Sequence, residues 1–375
     1  MTNIIKIIFS RKITAITVMH GRKRVKPTAE VEKLRKEKEA SKIKEYNGIV
    51  AACFEKKSKC EFDKEAFILT TKILSQNPDF YTIWNLRRSI LLNEISEDCS
   101  EEEKQQKFSS ELLFLQEVFR HNPKSYWIFN HRRWCLDTMP NPDWKSELDL
   151  VGKMLDMDAR NFHGWDYRRY VITRLSCIDS NALNLCKTEF DFTTTKINQN
   201  FSNYSAWHQR SKLLPNLLED EQLGDQGKKN LIDQEFELVK SAFYTDPDDQ
   251  SAWLYHWWLI GRDILPLTKQ ERINLLKREI ATVKELQEIE PESKWCLQTL
   301  LVLLRELKYI SELNTKEAMN IDEEVITICD QLMNIDKMRA KRFEDLRSKV
   351  IFEKTTNNLV QTSPNAQQEI IKDKG

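Results

Sequence analysis

The stretch NPKSYWIFNHRRWCL, residues 122–136, decides the fold because its pattern returns along the chain. Each clear copy begins with Asn or Asp, has a large aromatic residue seven positions later and, with one exception, Arg ten positions later. Recurrence at a period of roughly 44 residues is typical of repeat proteins. Five clear copies and two weaker ones begin at Asn77, Asn122, Asp158, Asn200, Asp246, Glu290 and Asp336.

The repeated aromatic and basic positions are expected to hold the repeats together. A catalytic residue is needed once, whereas a residue that packs one repeat on the next is needed in every copy. We therefore expect the aromatic side chains to be buried between helices, and the basic ones to pair with carboxylates or helix-end carbonyls of neighbouring repeats. The aromatic position holds Trp84, Phe129, Trp165, Trp207 and Trp253, and the basic position holds Arg87, Arg132, Arg168, Arg210 and His256.

Proline directly follows the first residue in four copies, at Pro78, Pro123, Pro247 and Pro291. Because proline disfavours a helix at the residue before it and fits the first helical turn, each pair marks the end of one helix and the start of the next. The segments between copies have their own helical period, and residues 100–103 predict a capping box. Two helices per period predict an all-α fold, a crescent-shaped α-solenoid of antiparallel helix pairs.

The composition excludes several classes of protein. Only 8 Gly and 10 Pro in 375 residues leave little material for β-hairpin turns. Lys+Arg and Asp+Glu balance at 58 each, which argues against a nucleic-acid partner. No apolar run approaches the length of about 18 residues that a transmembrane segment needs. The cysteines form no CxxC pair, so we expect reduced thiols and a cytoplasmic protein.

Three segments are expected along the chain. Residues 1–28 are interpreted as an N-terminal extension that is disordered, or is not translated before Met19. The all-basic composition of residues 1–18 faintly resembles a mitochondrial transit peptide, so targeting stays an alternative. Residues 29–353 are expected to form the helical-repeat domain, and residues 354–375 a disordered polar tail.

The repeat resembles that of protein prenyltransferase α subunits, in which Trp is followed three residues later by Arg. The resemblance covers residues 77–350, with Phe129 in place of one Trp. Within the family, six stretches are similar to the type II branch, which modifies Rab GTPases, and less so to the branch shared by farnesyltransferase and type I geranylgeranyltransferase. These stretches are residues 19–22, 122–126, 160–163, 200–205, 249–256 and 292–297.

The resemblance implies an α subunit that is inactive alone. With a catalytic β subunit it would transfer geranylgeranyl from geranylgeranyl diphosphate to C-terminal cysteines of Rab GTPases that an escort protein presents. It also implies that zinc lies on the β subunit. The sequence agrees, because only His131 and Cys135 stand at helical i,i+4 ligand spacing, and a zinc site requires three or four protein ligands.

Two basic residues are candidates for the catalytic machinery. By resemblance, Lys124 and Arg160 lie at the starts of repeat helices, reach into the active site of the β subunit and stabilise the departing diphosphate. A helix start suits an anion because its unpaired N–H groups and the positive end of the helix dipole point at the ligand. The alternative is that both residues are ordinary surface cations.

Further candidate residues follow from the same resemblance. His163, Asn203 and Tyr204 match positions that line the same inner edge and are expected to bind substrate. If translation begins at Met19, His20 lies close to a mobile N-terminus and could contact the zinc of the β subunit, in an autoinhibitory contact that substrate displaces.

Two other functions stay open on the sequence alone. The chain could be the α subunit shared by the CaaX prenyltransferases, for which a CaaX peptide alone would be a sufficient substrate. It could also be a helical-repeat scaffold with no enzymatic role, which would be stable alone and support no prenyl transfer with any β subunit. The repeated Trp and Arg favour a prenyltransferase subunit.

Overall fold

The computed structural model describes residues 28–95, 99–178, 182–261, 267–311 and 315–362. All regular secondary structure in these ranges is helical, which confirms the all-α prediction. The α-helices are α1 (Ala29–Ser58), α2 (Lys64–Gln76), α3 (Tyr81–Glu94), α4 (Glu101–His121), α5 (Tyr126–Thr138), α6 (Trp144–Met157), α7 (Phe162–Ile178), α8 (Ala182–Gln199), α9 (Tyr204–Leu218), α10 (Gly224–Thr245), α11 (Gln250–Gly261), α12 (Lys269–Ile289), α13 (Lys294–Ile310), α14 (Thr315–Ile335) and α15 (Ala340–Thr362).

Each repeat copy begins where one helix ends. Asn77 caps the C-terminus of α2, and α3 begins four residues later at Tyr81. The same offset separates Asp246, the C-terminal cap of α10, from Gln250 at the start of α11. The two helices of each pair, from α2 with α3 to α14 with α15, pack on one another, and α9, α11 and α13 also lie side by side. The predicted helix pairs are therefore confirmed, and we call the even-numbered member of each pair the first helix and the odd-numbered member the second helix.

The helix pairs form two compact units, with the boundary between Pro142 and Asp143. The first unit contains α1–α5, and the second unit contains α6–α15. The sequence pattern predicts one repeat domain over residues 29–353, so this division is a feature that the repeat does not reveal. None of the helices in the described part of the chain is long and apolar enough to cross a membrane.

The ends of the helices follow local chemistry. The predicted capping box is present, because Ser100 accepts the backbone N–H of Glu103 and the Glu103 carboxylate accepts that of Ser100. Helix α15 continues to Thr362, past residue 353 where the polar tail is expected to begin. No Gly or Pro interrupts that stretch until Pro364, which disfavours a helix at the residue before it. Residues 1–27 and 363–375 lie outside the described ranges.

The repeated tryptophans close each loop onto the helix that follows it. In all four of these copies the indole N–H donates to the backbone oxygen six residues earlier, at 2.7 to 2.9 Å. Burying an aromatic ring of this size contributes a few kcal/mol, on the order of 2–3. Phe129 cannot donate, and it packs edge-to-face on Phe119 with ring centroids 5.4 Å apart. The bonded pairs are Trp84–Pro78, Trp165–Ala159, Trp207–Phe201 and Trp253–Pro247.

Four of the five repeated basic residues reach the first helix of the next pair, as expected, whereas Arg132 on α5 donates to a carbonyl of α4, the first helix of its own pair. Arg87 on α3 makes a two-pronged ion pair with Glu111 on α4, at 2.7 and 2.8 Å. Arg210 on α9 pairs in the same way with Glu235 on α10, at 2.6 Å for both bonds. The remaining partners are the Glu189 carboxylate for Arg168, the Glu279 carboxylate for His256, and the Leu112 carbonyl for Arg132.

Two of the buried glutamates also accept a hydrogen bond from their own pair. The Nε2 of His131 lies 2.8 Å from Glu111, and the hydroxyl of Tyr255 donates to Glu235 at 2.6 Å. Burial alone would raise the pKa of Glu111, but the hydrogen bonds from His131 and Arg87 lower it to about 2. Each of these carboxylates therefore joins one helix pair to the next, and the Glu111 carboxylate does so with its charge retained.

Candidate site at the starts of the second helices

The two candidate cations occupy the same position in successive repeats. Lys124 lies in the loop before α5, in the first unit, and Arg160 lies in the loop before α7, in the second unit. Each stands two residues before its helix begins, and each is exposed. Their position at helix starts is therefore as expected from the sequence, whereas their role in catalysis stays a prediction.

Arg160 is hydrogen-bonded to the loop of the next repeat. Its Nη2 donates to the backbone oxygen of Ser202 at 2.8 Å, and its backbone N–H donates to Asp158 at 3.3 Å. The Asp249 carboxylate, in the loop before α11, is close enough for the charge of Arg160 to contribute to lowering its pKa. The guanidinium therefore joins the loop before α7 to the loop before α9 and contributes positive charge near Asp249.

His163 is buried in the first turn of α7, and Asn203 is buried directly before α9. The backbone N–H of His163 donates to Asn161, and its ring lies against Phe162 with centroids 4.0 Å apart. Asn203 caps α9 through its Oδ1, which accepts the backbone N–H of Ala206, while its Nδ2 has no hydrogen-bond partner among the described residues. Neither side chain is presented openly to solvent, so a role in binding substrate remains a prediction for both.

Tyr204, by contrast, is half exposed at the first position of α9. Its ring stacks on His208 at 6.2 Å, beside a pocket of about 130 Å³ that Leu254 and Trp258 of α11 also line. Burial and then the charges of Lys212 and Arg169 lower the pKa of His208. A neutral imidazole and three apolar or aromatic side chains thus lie together on this face. The exposed face of α9 was not apparent from the sequence.

The first position of the second helix is an exposed aromatic residue in four repeats. The sequence shows an aromatic or small residue at this place, but helical periodicity would assign an aromatic residue to the core. The structure instead leaves each ring half exposed or more. These residues are Tyr81 and Tyr126 in the first unit and Phe162 and Tyr204 in the second unit.

A larger cavity lies between the first helices α10 and α12. We call it the first-helix groove; its volume is about 280 Å³ and its lining includes Phe236, Leu259 and Leu275. Ion pairs flank it, Lys229 with Glu271 at 2.7 Å and Arg278 with Asp233 at 2.7 Å. Its apolar lining comes from three helices that are apart in sequence, so the repeat pattern alone does not reveal it.

The residues at metal-ligand spacing do not fit a zinc ion. His131 is fully buried, burial lowers its pKa, and its Nδ1 accepts a hydrogen bond from Arg88 at 3.1 Å while Nε2 faces Glu111. Burial also raises the pKa of the Cys135 thiol well above its usual value. Over the described ranges no three His, Cys, Asp or Glu side chains are grouped to hold a metal ion. His20 lies outside those ranges.

The repeats match a known family helix pair by helix pair. The family described as "Protein prenyltransferase alpha subunit repeat" matches residues 63–94, 108–139, 144–175, 186–217 and 232–263. Each segment contains all or most of the second helix of one pair, from α3 to α11, with all or part of the first helix before it. The fold and the repeated Trp and Arg positions thus define the class, a prenyltransferase α-subunit repeat protein.

Curated relatives narrow the class. Geranylgeranyl transferase type-2 subunit alpha of Schizosaccharomyces pombe is 39% identical over 88% of this chain and 98% of the relative. The proteins of the same name from Candida albicans and Homo sapiens are 34% and 31% identical, over 97% and 76% of their own lengths. The chain therefore belongs to the family of geranylgeranyl transferase type-2 alpha subunits.

A solved structure shares the fold. It is described as "Candida albicans protein geranylgeranyltransferase-I complexed with GGPP", with a TM-score of 0.62 and 21% sequence identity. The match covers 82% of this chain and 91% of that one. This likeness supports the helix-pair architecture.

Proposed function

We propose that the chain is the α subunit of a heterodimer that transfers geranylgeranyl from geranylgeranyl diphosphate to C-terminal cysteines of Rab GTPases presented by an escort protein. The observation that carries the proposal is the 39% identity to a type-2 alpha subunit over nearly the whole length of that relative. Under this proposal the chain is inactive alone and works in the cytoplasm. The zinc ion that such a transfer uses is assigned to the β subunit.

In this reaction the cysteine sulfur forms a bond to C1 of the isoprenoid, and the bond from C1 to the diphosphate oxygen breaks. The diphosphate leaves with the electron pair and carries the developing negative charge. Lys124 and Arg160 are proposed to stabilise that charge, because both are exposed cations at helix starts. His163, at the start of α7, and Asn203 and Tyr204, at the start of α9, are proposed to bind substrate.

The two faces of the helix pairs are proposed to serve different partners. The second helices carry the candidate cations and the exposed aromatic first positions, so this face is assigned to the β subunit. Exposed aromatic side chains are typical anchors of protein interfaces. The first-helix groove is assigned to the escort protein, because a protein that presents Rab must bind outside the face that the β subunit covers. Its apolar lining between two rim ion pairs supports an amphipathic protein surface as the occupant.

The proposal is tested by co-expression with a type-2 β subunit and transfer of labelled geranylgeranyl. The two acceptors are Rab with its escort protein and a bare CaaX peptide. Transfer to escorted Rab alone is the expected result. Transfer to the bare peptide would assign the chain to the CaaX enzymes, and failure to form a complex with either class of β subunit would leave a scaffold role.

The assigned role of Lys124 and Arg160 has its own readout. In the active heterodimer, replacing either residue by Ala should lower kcat while leaving the KM for escorted Rab unchanged, because the charge that they meet develops at the leaving group. Unchanged kcat in both variants would make them ordinary surface cations.

A further inference from the structure

The loop before α9 is hydrogen-bonded to the repeats on both sides of it. Arg160, in the loop before α7, donates from Nη2 to the backbone oxygen of Ser202 at 2.8 Å. Ser251, in the first turn of α11, donates from Oγ to the same oxygen at 3.3 Å. The Ser202 carbonyl therefore joins the N-terminal ends of three second helices at one point.

The carboxylate of Asp249 organises the groups around that point. Its Oδ1 accepts the backbone N–H of Ser251 at 2.7 Å, and the side chain of Ser202 donates to the same carboxylate. Partial burial would raise the pKa of Asp249, but these hydrogen bonds and the positive charge of Arg160 lower it. Asp249 is therefore charged near neutral pH, fixes the two serines that surround the Ser202 carbonyl, and attracts the guanidinium.

This arrangement matters because Arg160 is exposed. A long exposed side chain has many rotamers, and ordering it costs conformational entropy. Donors that are already oriented toward developing charge stabilise a transition state better than donors that must reorganise. A guanidinium has five N–H donors, so a bond to one carbonyl orients the group and leaves donors for a diphosphate oxygen.

We propose that Asp249 is the positioning residue of Arg160, acting through Ser202 to hold the guanidinium in the orientation that meets the diphosphate. The inference rests on the role assigned to Arg160 under the proposed function. Asp249 itself contacts neither substrate nor the reacting atoms. The sequence pattern alone indicates only that Asp249 precedes a helix start.

The test is a double-mutant cycle in the heterodimer with the β subunit, using single-turnover transfer to escorted Rab. Asp249→Asn should lower the transfer rate about fivefold, with less than about a twofold change in the KM for geranylgeranyl diphosphate. In the Arg160→Ala background the same change should have no effect beyond about twofold, because the positioned group is gone. Asp248→Asn removes an exposed neighbouring carboxylate and is the matched control, expected to match wild type.

Each other outcome is decisive. Additive losses in the double variant, or a rate for Asp249→Asn equal to wild type, would overturn the inference while leaving Arg160 in its role. A wild-type rate for Arg160→Ala would instead overturn the role of Arg160, and the inference with it. Ser202→Ala keeps the carbonyl and removes the hydroxyl, so it repeats the test if Asp249→Asn fails to assemble. The loss of transfer rate caused by Ser202→Ala must also be absent in the Arg160→Ala background, or the inference fails.

Discussion

Glu111→Gln is the substitution whose cost the structure defines best. The Glu111 side chain is 2% exposed and accepts two bonds from Arg87 and one from His131. Gln keeps the shape, but it removes the charge and turns one acceptor into a donor that faces other donors. The buried guanidinium of Arg87 is then left without a counter-charge.

Two independent arguments give the same free-energy cost for Glu111→Gln. Removing one partner of a buried ion pair destabilises a protein by about 3–5 kcal/mol. Independently, the pKa of Glu111 lies at about 2, compared with an ordinary value of 4.5. That difference corresponds to about 3 kcal/mol in favour of the charged form. We therefore expect opening of the α4–α5 pair to become easier by about 3 kcal/mol.

Cys135 reports that opening. Its side chain is fully buried on α5, so a thiol reagent reaches it only when the pair separates. When closing is faster than labelling, a change of about 3 kcal/mol raises the labelling rate roughly 150-fold. Cys329 on α14 is equally buried in the second unit and serves as the internal control, with no change expected.

The matched control is Glu117→Gln on the same helix. Glu117 is exposed and pairs with Arg120, and surface pairs contribute only about 0–1 kcal/mol. Its effect on Cys135 labelling should stay below about fivefold. If Glu111→Gln also stayed below that limit, the carboxylate would not be what stabilises Arg87 in the core, and buried ion pairs would not be what joins one helix pair to the next.

Three further predictions concern pH, catalysis and partner binding. Burial lowers the pKa of His131 below 6.5, so the unfolded chain binds the proton first and the stability of the fold decreases as pH drops below 6.5. His131→Gln keeps a donor and an acceptor, so the urea midpoint of the heterodimer should depend less on pH between pH 7 and 5. A pH dependence equal to that of wild type would contradict this. Lys124→Ala should lower kcat for transfer about tenfold or more, whereas Lys145→Ala, at an exposed position on α6, should not. Leu275→Asp in the first-helix groove should raise the KM for escorted Rab about tenfold without weakening the binding of the β subunit. If Lys277→Asp, at an exposed position, raised the KM equally, the groove would not be the escort site.

Much of the fold is written in local chemistry, which explains why it could be predicted. The Asn–Pro and Asp–Pro pairs set helix ends, and the period of the copies sets the pairing of helices. The recurrence of Trp and Arg predicts packing roles, and the indole bond of Trp84 and the ion pair of Arg87 confirm them. The start of α4 was predictable for the same reason, since a capping box needs only residues 100–103.

The partners of those residues were harder to predict. Glu111, Glu189 and Glu235 lie on charged, amphipathic first helices, where a glutamate is usually solvated. Only the approach of an arginine from the preceding pair makes burial of each carboxylate favourable, and that approach is a tertiary contact. Single-sequence periodicity also could not show that Tyr204 is exposed. Nor could it show that Arg160 bonds the Ser202 carbonyl while Asp249 accepts a bond from the Ser202 side chain.

Three junctions between pairs have the same direction: α3, α7 and α9 each supply an arginine, and the first helix of the next pair supplies its carboxylate. Genetic loss or duplication within such an array keeps every buried charge matched only if the cut falls at equivalent points of two repeats. Deleting residues 169–210, for example, would place Arg168 at the same distance along the chain from Glu235 that Arg210 has now. A shorter array made in this way should still fold, whereas deleting residues 179–200 joins inequivalent points: it removes Glu189 while Arg210 keeps Glu235, so the buried guanidinium of Arg168 loses its carboxylate.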